Sequence, residues 1–302
     1  MTALGLGTAP IGNMFARVSD EDAQATIDAA WDAGIRYFDT APFYGYGTAE
    51  RRLGRALGTR ARGDYVLATK VGRVLQPAGA ERAETIFTDV GDLEPEFDYS
   101  HSGVMRSLEE SLARLGTDRV DVALVHDPDN HEDDALRHAF PTLLRLREQG
   151  VIGAIGCGMN QTAMLERFVA RVDLDCVLLA GRYSLLDRSG AALLEQCAAR
   201  DVRVVLGGVF NTGVLIDPDV YATYDYAPAP RSVLERARRF KSVCDAHGVA
   251  LGAAALQFVL RHPAVTTVLV GARSAAEVGL DVGFAATKID EAVFDELDAV
   301  EA

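Results

Sequence analysis

No apolar run in this sequence is long enough to cross a bilayer, which takes about 20 residues, so no membrane anchor is expected. The first residues, Met1-Thr2-Ala3-Leu4-Gly5, lack the basic segment followed by an apolar one that marks a secretory signal. Cysteine is sparse. Cys157, Cys176, Cys197 and Cys244 lie far apart with no CxxC pair, the pattern of free, buried thiols in a reducing compartment. These absences together point to a cytoplasmic protein. Basic charge is also in short supply: 30 Lys and Arg against 44 Asp and Glu leave a net charge of -14. That balance argues against nucleic acid or an anionic membrane as the main partner. There is no HExxH, no clustered His and Cys, and no GxSxG elbow, so neither a metal site nor a serine hydrolase is expected.

What is present is alternation. Hydrophobic residues make up 49% and charged residues 25%, as in a soluble globular protein. Short apolar runs rich in β-branched residues end at Asp39, Lys70, His126, Cys157, Ala180, Leu206 and Val270. Between them lie stretches with helical spacing, such as Ala23, Ile27 and Ala30 behind a capping Ser19. The segment from Gly72 to Tyr99 reads as a long loop, and the acidic run from Asp127 to Asp134 as a solvated loop leading into a helix N-terminus. Strand and helix alternate roughly eight times, which predicts a parallel sheet covered on both faces. A doubly wound open sheet should carry a glycine-rich phosphate loop after its first strand. Here Leu4-Gly5-Leu6-Gly7-Thr8 runs into Pro10 and opens no helix. The predicted fold is therefore a (β/α)8 TIM barrel, one domain over residues 1–302.

Barrel enzymes react at the C-terminal ends of their strands. Asp39, Lys70 and His126 each sit at such an end, and Tyr44 lies on the loop just beyond the first. A closed barrel would bring them to one mouth. A lysine beside a phenol favours the phenolate and should lower the tyrosine's pKa. A carboxylate on the lysine would keep it charged and aimed, and the histidine could hydrogen-bond a substrate oxygen. Such a site exchanges a proton with a carbonyl or an alcohol, which suits hydride transfer or isomerisation.

The run Gly34-Ile35-Arg36-Tyr37-Phe38-Asp39-Thr40-Ala41-Pro42-Phe43-Tyr44-Gly45 resembles the signature of the aldo-keto reductase superfamily. Lys70 after Leu67-Ala68-Thr69, His126 after Val122-Ala123-Leu124-Val125, and Gly271-Ala272-Arg273-Ser274 before a helix resemble its other motifs. The resemblance implies a TIM barrel with NAD or NADP lying across its mouth. Tyr44 would be the general acid/base, Lys70 and Asp39 would tune it, and His126 would orient the substrate. Leu124 to Asp129, Gly156 to Gln161, Ala180 to Asp187 and Gly207 to Gly213 resemble the aldose 1-dehydrogenase branch, with its related pyridoxal dehydrogenases. The implied reaction oxidises the C1 hemiacetal of a free sugar of the L-fucose or D-arabinose type to a lactone.

The same comparison implies cofactor contacts at Gly158, Met159 and Asn160, where many members carry a Ser-Asn pair. Gly207, with Phe210 in place of the usual stacking aromatic, would take the nicotinamide, and Gly271 and Arg273 the adenosine phosphate. Glu277 and Asp281 stand where NADPH-preferring members have uncharged or cationic residues, which favours NAD over NADP. Phe15, Arg182 and Tyr224 are candidate substrate-pocket residues, and Tyr221 and Tyr226 share the loop of Tyr224, where all three could line the pocket or pack the loop. Three other readings stay open. One is a broad NADPH-dependent aldehyde or ketone reductase, the second a pyridoxal 4-dehydrogenase. The third is a cofactor-sensing regulatory subunit, although such a subunit would not need the proton-handling residues.

Overall fold

Short apolar strands can bury both faces only if they close on one another inside and meet helices outside. The computed structural model, which describes residues 2–80 and 84–301, arranges them in that way. In chain order, β1 (Leu4–Gly7) is followed by α1 (Asp20–Asp32), β2 (Tyr37–Asp39), α2 (Thr48–Leu57) and β3 (Val66–Val71). The paired strands β4 (Arg73–Pro77) and β5 (Leu93–Phe97) then precede α3 (His101–Leu115) and β6 (Val120–His126). Next come α4 (Glu132–Asp134), α5 (Phe140–Glu148), β7 (Ile152–Met159), α6 (Thr162–Arg171) and β8 (Cys176–Ala180). They lead to α7 (Ala191–Ala199), β9 (Arg203–Gly207) and a small hairpin of β10 (Thr223–Tyr224) and β11 (Ala227–Pro228). The chain ends with α8 (Arg231–Ala246), α9 (Leu251–Leu260), β12 (Val265–Gly271), α10 (Ala275–Ala286) and α11 (Glu291–Glu301).

Among the described residues, eight parallel strands close in the order β1-β12-β9-β8-β7-β6-β3-β2. This is the (β/α)8 barrel. Tyr37, Ala68, Leu124, Cys176, Leu178 and Val205 fill its interior, while a larger apolar layer lies between strands and helices. The parallel register sets the strand ends level. Asp39 stands beside Gly7 and Ala68, Lys70 beside Leu124, and His126 beside Gly158. No single helix among the described residues is long and apolar enough to cross a membrane.

The segment from Gly72 to Tyr99 departs from expectation. Instead of an irregular loop it contains the β4–β5 antiparallel ribbon, with Arg73 opposite Phe97 and Pro77 opposite Leu93. Pro77 and Pro95 concealed it, because proline discourages a strand reading yet is tolerated in a two-stranded ribbon with free edges. Residues 81–83 of that segment lie outside the described residues.

One buried acid ties three elements together. Glu50, fully buried on α2, accepts from Thr69 Oγ1 at 2.8 Å and from Arg114 Nε at 2.6 Å. Removing it leaves the largely buried Arg114 guanidinium with only Ser111 Oγ at 3.2 Å and the more distant Glu110 carboxylate at 3.6 Å. Glu50→Ala is therefore expected to lower stability by about 3 kcal/mol, measured as a drop in the urea midpoint. A shift under 1 kcal/mol would show the pair to be dispensable.

Candidate active site

Asp39 ends β2, and the chain then turns through Pro42 into α2, carrying Tyr44 back over the mouth. The turn depends on a close backbone approach at Gly45, which has φ 59°. A Cβ there would lie 2.1 Å from the Gly12 carbonyl oxygen, so no side chain fits. Lys70, 1% exposed, points from β3 into the space this turn encloses. Its ammonium donates to Asp39 Oδ2 at 2.6 Å, to the Thr40 carbonyl at 3.0 Å and to Tyr44 Oη at 3.0 Å. All three ammonium protons thus have an acceptor. The His126 ring meets the Tyr44 ring edge-on, centroids 5.9 Å apart. The four residues read from strand ends and the adjoining loop converge on one mouth.

Their electrostatics differ from the sequence reading in one respect. Burial pushes the Tyr44 phenol up to about 12, although Lys70 beside it acts in the opposite direction. Lys70 alone was expected to lower it, but the loss of water outweighs one ammonium. Burial would also lower Lys70, yet Asp39 and Tyr44 carry it above its ordinary value. Asp39 is raised by burial and lowered by Lys70, with a net rise. The two shifts pull the pair in opposite senses. The 2.6 Å contact and the full set of ammonium acceptors favour the charged pair. His126 is held well below its usual value by burial, then by Arg73 and Lys70, so its imidazole is neutral at pH 7. Its Nδ1 is buried without a hydrogen-bond partner among the described residues, while Nε2 lies 3.4 Å from Asp127 Oδ2.

The mouth is walled by aromatic and loop residues. Phe87 packs near Tyr44 and against Phe43 and Tyr46. The first loop is pinned to this wall by Phe15 N donating to the Ile86 carbonyl at 2.8 Å. Phe15 itself, 47% exposed, faces Tyr226 across 6.2 Å. Of the three loop tyrosines, Tyr226 is thus the hairpin aromatic at the mouth. Tyr224 packs against the apolar layer between barrel and helices. On a continuous strand Tyr224 and Tyr226 would share a face; the turn at Asp225 and Tyr226, both at positive φ, ends the strand at Tyr224 and re-aims Tyr226. Arg182 is held by Asp225 at 3.1 Å and lies 3.8 Å from Asp187, so it ties the hairpin to the rim.

The candidate cofactor residues occupy the other arc of the rim. Catalytic candidates come from β2, β3 and β6; Gly158 to Asn160, Gly207 and Gly271 end or follow β7, β9 and β12, further round the same circle. Gly158 lies against Lys70, where a Cβ would be 3.5 Å from Cε. Asn160 is half-buried and makes no side-chain hydrogen bond with a described residue. Met159 is a correction: its side chain is buried in the outer apolar layer beside Cys157, so only its backbone faces the rim. Phe210 is another, since its ring packs on Phe284 of α10, 6.2 Å away, rather than among the catalytic candidates. Ser274 caps α10. Glu277 Oε2 accepts from Arg273 N at 2.8 Å, and its Oε1 lies 3.4 Å from the Arg273 guanidinium. Asp281 is buried, with no hydrogen bond from a described residue, and burial followed by Glu277 raises its carboxyl to about 7.

These residues fit a nicotinamide dinucleotide. A free carboxamide at Asn160 and a buried, unpartnered acid at Asp281 lie along one arc, with capped helix amides between polar rim groups. Among the described residues no cluster of His, Cys, Asp or Glu is placed to hold a metal ion. A groove of about 720 Å³ on the outer helices, lined by Tyr183, Glu195, Phe258 and His262, includes none of the residues above.

Comparison with known proteins agrees with this geometry. The model of the Aldo/keto reductase family matches residues 3–302. A D-threo-aldose 1-dehydrogenase from Pseudomonas sp is 41% identical, covering 98% of this chain and 92% of that protein. A pyridoxal 4-dehydrogenase from Microbacterium luteolum is also 41% identical, over 93% of this chain and 89% of its own length. In structure, an aldo-keto reductase from Bacillus halodurans superposes with a TM-score of 0.79 at 24% identity, covering 99% of this chain and 91% of that one. The barrel, the strand-end residues and the match along nearly the whole length place this chain in the aldo/keto reductase family, as an NAD(P)-dependent oxidoreductase acting on small molecules.

Proposed function

We propose that this protein, working as one barrel domain over residues 1–302, oxidises the C1 hemiacetal of a free aldose to the lactone with NAD. The carrying observation is the Tyr44 phenol 3.0 Å from an ammonium that Asp39 holds in place. The 41% identity to a D-threo-aldose 1-dehydrogenase points it toward sugars. Tyr44 receives the proton of the C1 hydroxyl at its phenol oxygen. Lys70 stabilises the phenolate that accepts it, and Asp39 keeps the ammonium aimed. His126, being neutral, offers one N–H to the same substrate oxygen without adding a competing charge. The oxidised nicotinamide, when bound, supplies the acceptor for the hydride leaving C1. Asn160 and the rim at Gly158 and Gly207 would hold its nicotinamide end, and Ser274, Arg273 and Asp281 its adenosine end.

NAD is favoured over NADP by charge. Glu277 already takes up Arg273, and Asp281 adds a second acid on the same helix. A 2′-phosphate would meet the Glu277 carboxylate and an Asp281 that titrates at about 7, with Arg273 already facing Glu277. Preference for NAD should reach about tenfold in kcat/KM, a little over 1 kcal/mol.

The test is a substrate panel read by reduced-nicotinamide absorbance. L-fucose or D-arabinose with NAD should generate the band at a rate well above NADP. The second reading, a pyridoxal 4-dehydrogenase, rests on an equal 41% identity to an enzyme of that name. Turnover of pyridoxal with none of any aldose would establish it instead. Loss of the band only with NADPH and an aromatic aldehyde would replace both with a reductase.

A further inference from the structure

His126 is followed by a residue with a left-handed backbone, held in place from several sides. Asp127 has φ 43°, a left-handed conformation that side chains other than glycine seldom adopt. Strain of this kind persists where the surroundings over-determine it, and it concentrates at working sites. Here the surroundings do so. Asp127 N donates to the Gly158 carbonyl at 3.0 Å. Tyr99 Oη donates to the carbonyls of both His126 and Asp127, at 2.6 and 2.9 Å. Arg73 Nη2 holds Asp127 Oδ2 at 2.5 Å, and its guanidinium is itself fixed over the Phe43 and Phe97 rings.

The result is a carboxylate aimed beside the imidazole rather than into solvent. Oδ2 is taken by Arg73 and lies 3.4 Å from His126 Nε2. Oδ1 accepts nothing from a described residue, and the side chain is 29% exposed. Its contact with His126, whose ring meets Tyr44 edge-on, places it beside the catalytic candidates. An ion pair serving stability alone would need neither the left-handed backbone nor an unshared oxygen next to the residue that faces the substrate.

We propose that Asp127, held by Arg73, is the specificity-determining acceptor for the hydroxyl next to the reacting carbon of the substrate. This rests on the sugar reading above. Neighbouring oxygens on a sugar are about one hydrogen-bond length apart. An oxygen bound at His126 therefore brings the C2 hydroxyl beside Asp127. A carboxylate accepts that proton strongly in a site shielded from water. It gains nothing from a deoxy carbon, which would leave Oδ1 without a donor from the substrate while Oδ2 stays on Arg73. The group thus selects polyhydroxylated substrates over plain aldehydes and over 2-deoxy sugars. The sequence reading placed Asp127 in a solvated acidic run, which the geometry corrects.

The experiment compares an aldose with its 2-deoxy counterpart, with NAD, in wild-type protein and in Asp127→Asn. Wild type should favour the aldose by about 30-fold in kcat/KM, as expected for one hydrogen bond to a charged group. In Asp127→Asn that ratio should fall toward one, mostly through KM for the aldose. A purely structural role would depress both sugars alike and keep the ratio, which would overturn the proposal. The wild-type ratio needs no variant, so a failure of Asp127→Asn to fold leaves the test intact: equal oxidation of the two sugars by wild type refutes the role of Asp127 while sparing the sugar reading. No oxidation of either sugar refutes the sugar reading, and this proposal with it.

Discussion

Tyr44→Phe is expected to lower kcat by about three to four orders of magnitude, the upper range for losing a positioned acid/base group. The reason is local. Among the described residues the phenol is the proton-accepting side chain that touches Lys70 from the loop over the mouth, and phenylalanine keeps the ring while deleting the oxygen. Packing should survive, because the contacts to Phe87 and His126 are made by the ring. Lys70 keeps two of its three acceptors, Asp39 Oδ2 and the Thr40 carbonyl. NAD affinity, measured by calorimetry, should therefore stay within about twofold of wild type, and the melting temperature should barely move. Loss of turnover with retained binding would separate a chemical role from a structural one. Turnover near the wild-type rate would remove Tyr44 from the mechanism altogether.

How much of this was legible in the sequence depends on the kind of information each feature needs. Asp39, Lys70 and His126 could be placed because each ends an apolar run, and a parallel barrel puts such ends level. Local pattern plus one topological rule was enough. The ribbon at Arg73–Pro77 and Leu93–Phe97 was not legible, since its two prolines and its glutamates break the usual strand alternation. Asp127 was hidden for a related reason: six further polar residues follow within seven positions, and an acidic run ordinarily means solvent. Only Tyr99 and Arg73, which fix its backbone and its carboxylate, distinguish it from its neighbours. Which of Tyr221, Tyr224 and Tyr226 reaches the mouth was not legible, because Tyr226 does so through a turn at positive φ that its sequence marks with no glycine. The Tyr44 pKa was misjudged in sign because the attracting charge is visible in the sequence while the depth of burial is not.

That last point makes Lys70→Met the second decisive variant. The phenol stands at about 12 with the opposing ammonium 3.0 Å away already in place, so burial alone would hold it higher still. Without Lys70 the phenolate becomes harder to form, and the rise of sugar oxidation with pH should move to more alkaline values, with kcat at pH 7 falling by about 100-fold or more. The substitution also leaves Asp39 buried at 1% exposure beside an apolar side chain. Breaking one half of a buried pair costs about 3–5 kcal/mol, so a loss of rate could be confused with a loss of structure. Asp39→Asn combined with Lys70→Met removes the stranded charge and should recover much of the stability without recovering the rate. The pH dependence of wild-type stability has a definite sign as well. Lys70 is raised above its ordinary value in the folded protein. Its stabilising contribution is therefore complete below the unfolded lysine pKa of about 10.4 and is lost only as pH climbs through the folded value. In Lys70→Met that alkaline loss should disappear from a plot of melting temperature against pH. An unchanged pH–rate profile in a folded, active Lys70→Met protein would mean that the ammonium does not tune Tyr44, and the proton route would have to be assigned to other groups.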